Sequence, residues 1–288
     1  MITVPIKVLD HGYVRYIDHM GSDESFIEAA RMSTDGEFRS WLIDEKLLKF
    51  LFDNHHDTPF EFGELVVEVQ APILVFREWH RHRTQSYNEA SARYIKLPDI
   101  NYLPSLDRLT GIDLATSNKQ AQGNGKVITK TKAKLIQALW RASYWLSGFV
   151  YDAALKLGAP KELARIVMPV GHYSKMRAKA NVRNWLAFLR LREADNAQYE
   201  IRQYANTVAD ILEEAFPRAV ALYRDLPMSY LQVCIEGKWF FVDKTSTSGN
   251  LGITHSAADA MQTVHGKHVI ESYRRAYTFR AVLPSDIR

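Results

Sequence analysis

The chain has one cysteine, Cys234, in 288 residues, so no disulfide can form within it. That usage suits a reducing compartment. Cys234 lies in the apolar run Tyr230-Leu231-Gln232-Val233-Cys234-Ile235 and reads as a buried structural thiol. The ten histidines form no HExxH and have no CxxC beside them, so no metal site is expected. No apolar run approaches the roughly 20 residues that a membrane helix needs. The opening MITVPIKVLDHG lacks the pattern of a secretory signal. A cytoplasmic protein without a membrane partner is the expectation. Charge of one sign is also scarce: 37 basic against 33 acidic residues leave a net +4. That balance fits small phosphorylated ligands as well as nucleic acid. With 47% hydrophobic residues, the chain can bury a sizeable core as one large domain or two small ones.

Period and punctuation give the elements. Residues 6 to 18 alternate as an opening strand around a turn at Asp10-His11-Gly12. Ser22-Asp23-Glu24-Ser25 offers a helix cap, and residues 40 to 54 form an amphipathic helix broken at Asp57-Thr58-Pro59. Glu64 to Gln70 alternates with β-branched residues as a strand, and Pro72 starts a helix from Ile73 to about His82. Residues 98 to 128 read as a long surface loop. Residues 129 to 157 read as one helix with Leu135, Ile136, Leu139, Trp140 and Trp145 on its buried side, and Lys161 to Val167 as a short one. Lys179 to Phe216 reads as a further helical stretch, with any interruption near Glu193 to Asn196. Residues 238 to 288 turn polar and then helical over 256 to 277. The whole predicts an α+β fold with an antiparallel sheet packed with long helices.

The most informative segment is Arg81-His82-Arg83-Thr84-Gln85-Ser86-Tyr87-Asn88-Glu89-Ala90-Ser91-Ala92-Arg93-Tyr94. It holds almost nothing apolar, so fixing it costs entropy without building a core. Three arginines offer planar forks for phosphate or carboxylate, and Ser86, Asn88 and Ser91 add neutral hydrogen bonds. A basic nucleic-acid-binding module is the rival reading. That module would interleave stacking aromatics, of which the segment has only Tyr87 and Tyr94.

This segment closely resembles the R-H-R-x-x-S-x-N-E-x-S-x-R-Y signature of the flavin-dependent thymidylate synthases, with every fixed position met. The resemblance covers residues 1 to about 235, which suggests a catalytic domain over 1–237 and a C-terminal extension over 238–288. It implies methylation of dUMP to dTMP, with methylenetetrahydrofolate as carbon donor and NADPH as reductant through FAD. It also implies sites shared between subunits of a homotetramer, and no nucleic acid. The site would hold a nucleotide phosphate, a flavin pyrophosphate and a folate, which explains the many arginines.

Further blocks extend it. His56-Asp57-Thr58-Pro59-Phe60-Glu61 resembles the family's H-x-S/T-P-F-E. Ala164-Arg165-Ile166-Val167-Met168-Pro169 resembles A-R-x-x-L-P, and Asn181-Val182-Arg183 with Leu189-Arg190-Leu191-Arg192 matches a third block. By resemblance, FAD would meet His56, Thr58, Arg81, His82, Arg83, Glu89, Asn181 and Arg183. The nucleotide dUMP would meet Glu78, Arg81, Glu89, Ala90, Ser91, Ala92, Arg93, Arg165 and Arg192. Arg192 is the implied catalytic residue, a cation that polarises the uracil. Offsets of eleven and seven put Asn181, Arg192 and Tyr199 on one helical face. Trp185, Leu186, Phe188, Leu189 and Leu191 leave that helix little room for water.

Four positions depart from the pattern. Glu78 stands where glutamine is frequent, Ala187 where some members carry asparagine, Asn196 in place of a histidine, and Phe62 where histidine is frequent. Ala187 and Asn196 make a nucleotide-binding member without turnover a second alternative. Ser91 reads as a hydrogen-bonding group or as a nucleophile, the former being preferred because no His-Asp partner is evident. Glu89 reads as a partner of the arginines or as a ribose contact.

Overall fold

A computed structural model describes residues 4–111 and 128–224, together with the backbone of three strands between 230 and 253. In chain order the elements begin with β1 (Ile6–Val8), β2 (Gly12–Met20), α1 (Asp23–Arg31), α2 (Trp41–Asp53), β3 (Glu64–Pro72), α3 (Ile73–Trp79) and β4 (Ser86–Glu89). Next come α4 (Leu106–Thr110), α5 (Lys130–Lys156), α6 (Lys161–Ala164), β5 (Tyr173–Asn181), α7 (Val182–Arg192), α8 (Tyr199–Ala215) and α9 (Pro217–Tyr223). Strands β6 (Tyr230–Ile235), β7 (Lys238–Asp243) and β8 (Gly252–Ile253) form a second antiparallel sheet. The α+β expectation is met: the main sheet is antiparallel, in the order β1-β2-β3-β5-β4, and is packed with helices.

Register sorts the two faces of this sheet. Leu65 pairs with Ala180, Val67 with Ala178 and Val69 with Met176, and all six are buried. The alternate residues Lys175, Arg177 and Lys179 are exposed on the other face, where Arg177 pairs with Glu68. The inner face receives α8, whose Ile201, Tyr204, Ala205, Val208 and Leu212 recur at helical spacing and are buried. The Tyr204 hydroxyl donates to the Gln70 carbonyl at 2.9 Å and anchors α8 to β3. At the start of β3, Gly63 admits Phe26 and Phe216 so closely that a Cβ there would lie 2.6 Å from Phe216. Its carbonyl accepts the Val182 amide at 2.8 Å, which ties the entry of α7 to the turn before β3.

Several sequence expectations need correction. Residues 173 to 181 form the strand β5, so the helical stretch begins at Val182 and not at Lys179. Ala and Lys are good helix formers, and their two-residue alternation was masked by that propensity. The interruption near Glu193 is real, and α8 restarts at Tyr199, so Tyr199 shares no helix with Asn181 and Arg192. Helix α3 stops at Trp79, before His82, and the polar segment contains the edge strand β4. The helix over 129 to 157 is present, but Leu135, Leu139 and Trp145 are exposed at 61%, 62% and 70%. Its covered side holds Ala133, Gln137 and Tyr151 instead, because one chain packs against only one flank of α5. Leu191 is likewise exposed, while Trp185, Leu186, Phe188 and Leu189 are buried. The loop after Pro98 contains α4, capped by Ser105. The Cys234 side chain and the helix expected over 256 to 277 lie outside the described residues.

Candidate functional site

The site grows from the packing of two helix ends. Trp79 closes α3 and is fully buried against Phe188 of α7, with ring centroids 4.7 Å apart, and edge-on to Trp185 at 6.2 Å. Such aromatic pairs add to the area they bury. The Trp185 indole donates to the Leu65 carbonyl at 3.0 Å, and the Trp79 indole to Gln85 Oε1 at 3.0 Å. The Tyr87 hydroxyl donates to the His82 carbonyl at 2.6 Å and fixes the turn between α3 and β4. Burial pushes the Tyr87 phenol up to about 12, so it stays a donor at neutral pH.

This packing brings the last residue of α7 onto the end of α3. Arg192 Nε donates to His82 Nε2 at 2.9 Å, its NH1 to Glu78 Oε2 at 2.7 Å, and its NH2 to the Glu78 carbonyl at 3.0 Å. The His82 ring also meets Phe188 edge-on at 4.9 Å. Burial, then the Arg192 charge, lowers the His82 pKa to about 4, with the Glu78 charge opposing. At neutral pH the ring is therefore neutral and offers Nε2 as the acceptor that the Arg192 geometry needs.

A second set joins the blocks at 56 to 61 and 181 to 184. Arg183 Nε lies 3.0 Å from Asp57 Oδ2 and 3.7 Å from Glu61. Asn181 caps α7 by accepting the Asn184 amide at 2.9 Å, and Asn184 Nδ2 donates to the Thr84 carbonyl at 3.1 Å. Thr58 and His56 are exposed on the same turn, His56 being edge-on to Phe50 at 5.5 Å. Arg81 and Arg83 are exposed and make no ion pair among the described residues. Two unpaired forks beside one paired arginine leave net positive charge here for an anion.

The remaining sequence-predicted residues gather elsewhere. Arg93 Nε sits 3.3 Å from Glu162, and Arg165 Nε donates to the Glu162 carbonyl at 3.4 Å. Lys161 Nζ donates to the Tyr94 carbonyl at 2.9 Å, and the Ser91 hydroxyl accepts the Arg93 amide at 3.3 Å. No histidine or carboxylate bonds Ser91 among the described residues. Ala92 is buried, the Ala90 amide is taken by the Lys175 carbonyl at 2.8 Å, and Glu89 is exposed without an ion pair among the described residues. Arg192 bonds Glu78 and His82, and no hydrogen bond or ion pair joins it to Ser91, Arg93 or Arg165 among the described residues.

Sequence reasoning missed Asp57, Glu61, Asn184, Gln85 and Glu162 as site-building residues. Asp57 and Glu61 stood inside a quoted block, and their acidity opposite Arg183 was the available signal. Glu162 carried no signal, because only folding brings it to Arg93.

A family model described as thymidylate synthase complementing protein matches residues 15–218. A flavin-dependent thymidylate synthase of Ehrlichia ruminantium (strain Gardel) is 36% identical over 234 residues, 81% of this chain and 75% of that one. One from Thermus thermophilus is 37% identical over 224 residues, 78% and 79% of the two chains. Among solved structures, the UMP/dUMP methylase PolB from Streptomyces cacaoi, bound with 5-Br dUMP, superposes with a TM-score of 0.68 at 27% identity. The match covers 77% of this chain and 98% of that one.

The His82 contact carries a pH signature. An ordinary imidazole titrates near 6.5 and this one near 4, so the unfolded chain takes up the proton first. The stability associated with neutral His82 is present above about 6.5 and is lost as pH falls from 6.5 to 4. A histidine-resolved NMR titration should show the His82 midpoint near 4 and a further fall in Glu78→Gln, which removes the charge that raises it. A midpoint near 6.5 would contradict the arrangement.

Proposed function

The chain belongs to the thymidylate synthase complementing protein family of flavin-dependent thymidylate synthases, and from that premise we propose that it converts dUMP to dTMP with FAD. The carbon comes from methylenetetrahydrofolate and the electrons from NADPH. One observation carries this reading: distant blocks at 57 to 61, 78 to 84 and 181 to 192 meet around the junction of α3 and α7.

The residues fit an anionic flavin nucleotide. Exposed Arg81 and Arg83, with Arg183, Thr58 and the Asn181–Asn184 cap beside them, offer charge and hydrogen bonds to a pyrophosphate. FAD, when bound, supplies the redox chemistry. Arg192 holds a fixed guanidinium where negative charge develops on the uracil, and His82 and Glu78 fix its orientation. Ser91, Arg93 and Arg165 form a cluster suited to the phosphate of dUMP.

Within one chain that cluster shares no hydrogen bond or ion pair with Arg192 among the described residues. In a homotetramer, Ser91, Arg93 and Arg165 of one subunit complete the site of another. The uncovered Leu135, Leu139, Trp145 and Phe149 of α5 supply apolar surface for such association. Residues 238–288 fall outside the family match, and we place them outside the catalytic domain 1–237. Because β6 pairs with β7 across that boundary, a cut after Arg224 is the cleaner separation. The second reading, nucleotide binding without turnover, is favoured by Ala187 and Asn196, both exposed.

Two measurements check the proposal. Arg192→Ala should keep its FAD and lose dTMP formation by about 2–4 kcal/mol, or about 30- to 1,000-fold. Arg192→Lys should recover little, since an ammonium cannot reproduce the fork. Wild-type turnover in Arg192→Ala would refute the role. Light scattering should report a tetramer at micromolar concentration, and a monomer would end the shared-site argument.

A further inference from the structure

Away from the α3–α7 junction, a cavity of about 300 Å³ opens between the segment that follows Tyr94 and the C-terminal half of α5. That volume is at the lower end for small-molecule sites. Leu97, Pro98, Met168 and Tyr151 supply its apolar lining. The Tyr151 hydroxyl accepts the Leu97 amide at 3.3 Å and holds the segment against α5. The charged groups are Lys96, Asp99 and Asp152. Lys96 Nζ lies 2.8 Å from Asp152 Oδ1, so those two charges offset each other. Asp99 makes no ion pair among the described residues, and its negative charge is left over.

Asp99 is also held in place. Its Oδ1 accepts Asn101 Nδ2 at 3.1 Å, and Asn101 bridges to His172, a fully buried residue just before β5. The Tyr173 amide donates to the Ile100 carbonyl at 2.9 Å and the Tyr102 amide to the Gly171 carbonyl at 2.8 Å, which pins the backbone on both sides of Asn101. Burial lowers the His172 pKa, with the Asp99 charge opposing, so the imidazole is neutral at neutral pH and supplies no counter-charge. Gly148 of α5 stands against Asp99. A Cβ there would lie 3.6 Å from Asp99 Oδ1, so the glycine leaves the carboxylate open to approach.

We propose that this cavity binds a small aliphatic ammonium ion, with the charged nitrogen on the Asp99 carboxylate and the carbon chain along Leu97, Pro98 and Met168. Two carboxylates and one ammonium leave the lining with net negative charge, which selects a cation. The apolar lining selects hydrocarbon over a bare metal ion. No group of three histidine, cysteine or carboxylate side chains among the described residues could hold a metal. None of the lining residues is among those assigned above to FAD or dUMP, so the inference stands apart from the proposed reaction.

The test is an NMR titration of the FAD-loaded full chain, with isotope-labelled methionine methyls, against n-pentylammonium chloride at constant ionic strength. The Met168 methyl should shift and saturate with a midpoint on the order of millimolar, as so few heavy atoms allow. The alcohol n-pentanol has the chain without the charge and should bind about fivefold more weakly or worse. Asp99→Asn should weaken pentylammonium about fivefold or more and leave pentanol unchanged. Lys96→Gln frees Asp152 and should raise the affinity of a five-carbon terminal diamine relative to pentylammonium about threefold or more. Gly148→Leu fills the space before Asp99 at unchanged charge and should abolish the shift. A Met168 signal that does not saturate by about 50 mM, an equal response to pentanol, or wild-type affinity in Asp99→Asn overturns the site. If Asp99→Asn does not fold, Gly148→Leu decides, and unchanged binding there overturns the proposal.

Discussion

The contact of Trp79 with Phe188 is the constraint on which the site depends. It is buried, aromatic and placed at the end of α3, one turn from the end of α7. Everything polar nearby is positioned by it. Glu78 precedes Trp79, His82 follows it, and Arg192 follows Phe188 by one helical turn. Gln85, held by the Trp79 indole, begins the path into β4 and so to Ser91 and Arg93. Apolar packing thus sets the placement of groups that have no apolar reason to meet. Truncating such a contact leaves a cavity as well as a lost contact, so its effect would reach Arg192 through position rather than through charge.

Electrostatics then act on that frame in two different ways. Around Arg192 the charge is balanced, by the Glu78 carboxylate and a neutral His82 that accepts rather than repels. Arg81 and Arg83 have no such balance among the described residues and face water. The first arrangement fixes geometry, and the second attracts an anion. One locus can therefore hold a phosphate-rich cofactor by uncompensated charge while presenting a compensated, oriented guanidinium to a heterocycle. The pair also explains why Glu78, a carboxylate near an expected nucleotide, does not oppose the site: its charge is directed at Arg192.

Much of this was legible from the residues. The segment from Arg81 to Tyr94 could be singled out because a polar run that builds no core needs another reason to be ordered. Strand β3 was legible because Leu65, Val67 and Val69 alternate with polar neighbours and favour β structure. Strand β5 was not, since Ala178, Lys179 and Ala180 are helix formers and only pairing with β3 decides their state. The apolar stripe of α5 was read correctly as apolar and wrongly as covered, because a sequence does not say which chain covers it. Resemblance placed Glu78, His82 and Arg192 around one site, but their bonds to one another were not legible, since the distances of 2.7 and 2.9 Å are set by tertiary packing across 114 and 110 residues of chain.

The central claim is that the α3–α7 junction holds FAD and dUMP side by side. An absorbance spectrum of the purified protein, loaded with FAD and titrated with dUMP, tests it most directly. The account predicts stoichiometric flavin, and a shift of the flavin band on dUMP addition that is weakened in Arg192→Ala. A protein that takes up no flavin, or whose flavin band is indifferent to dUMP, would contradict it.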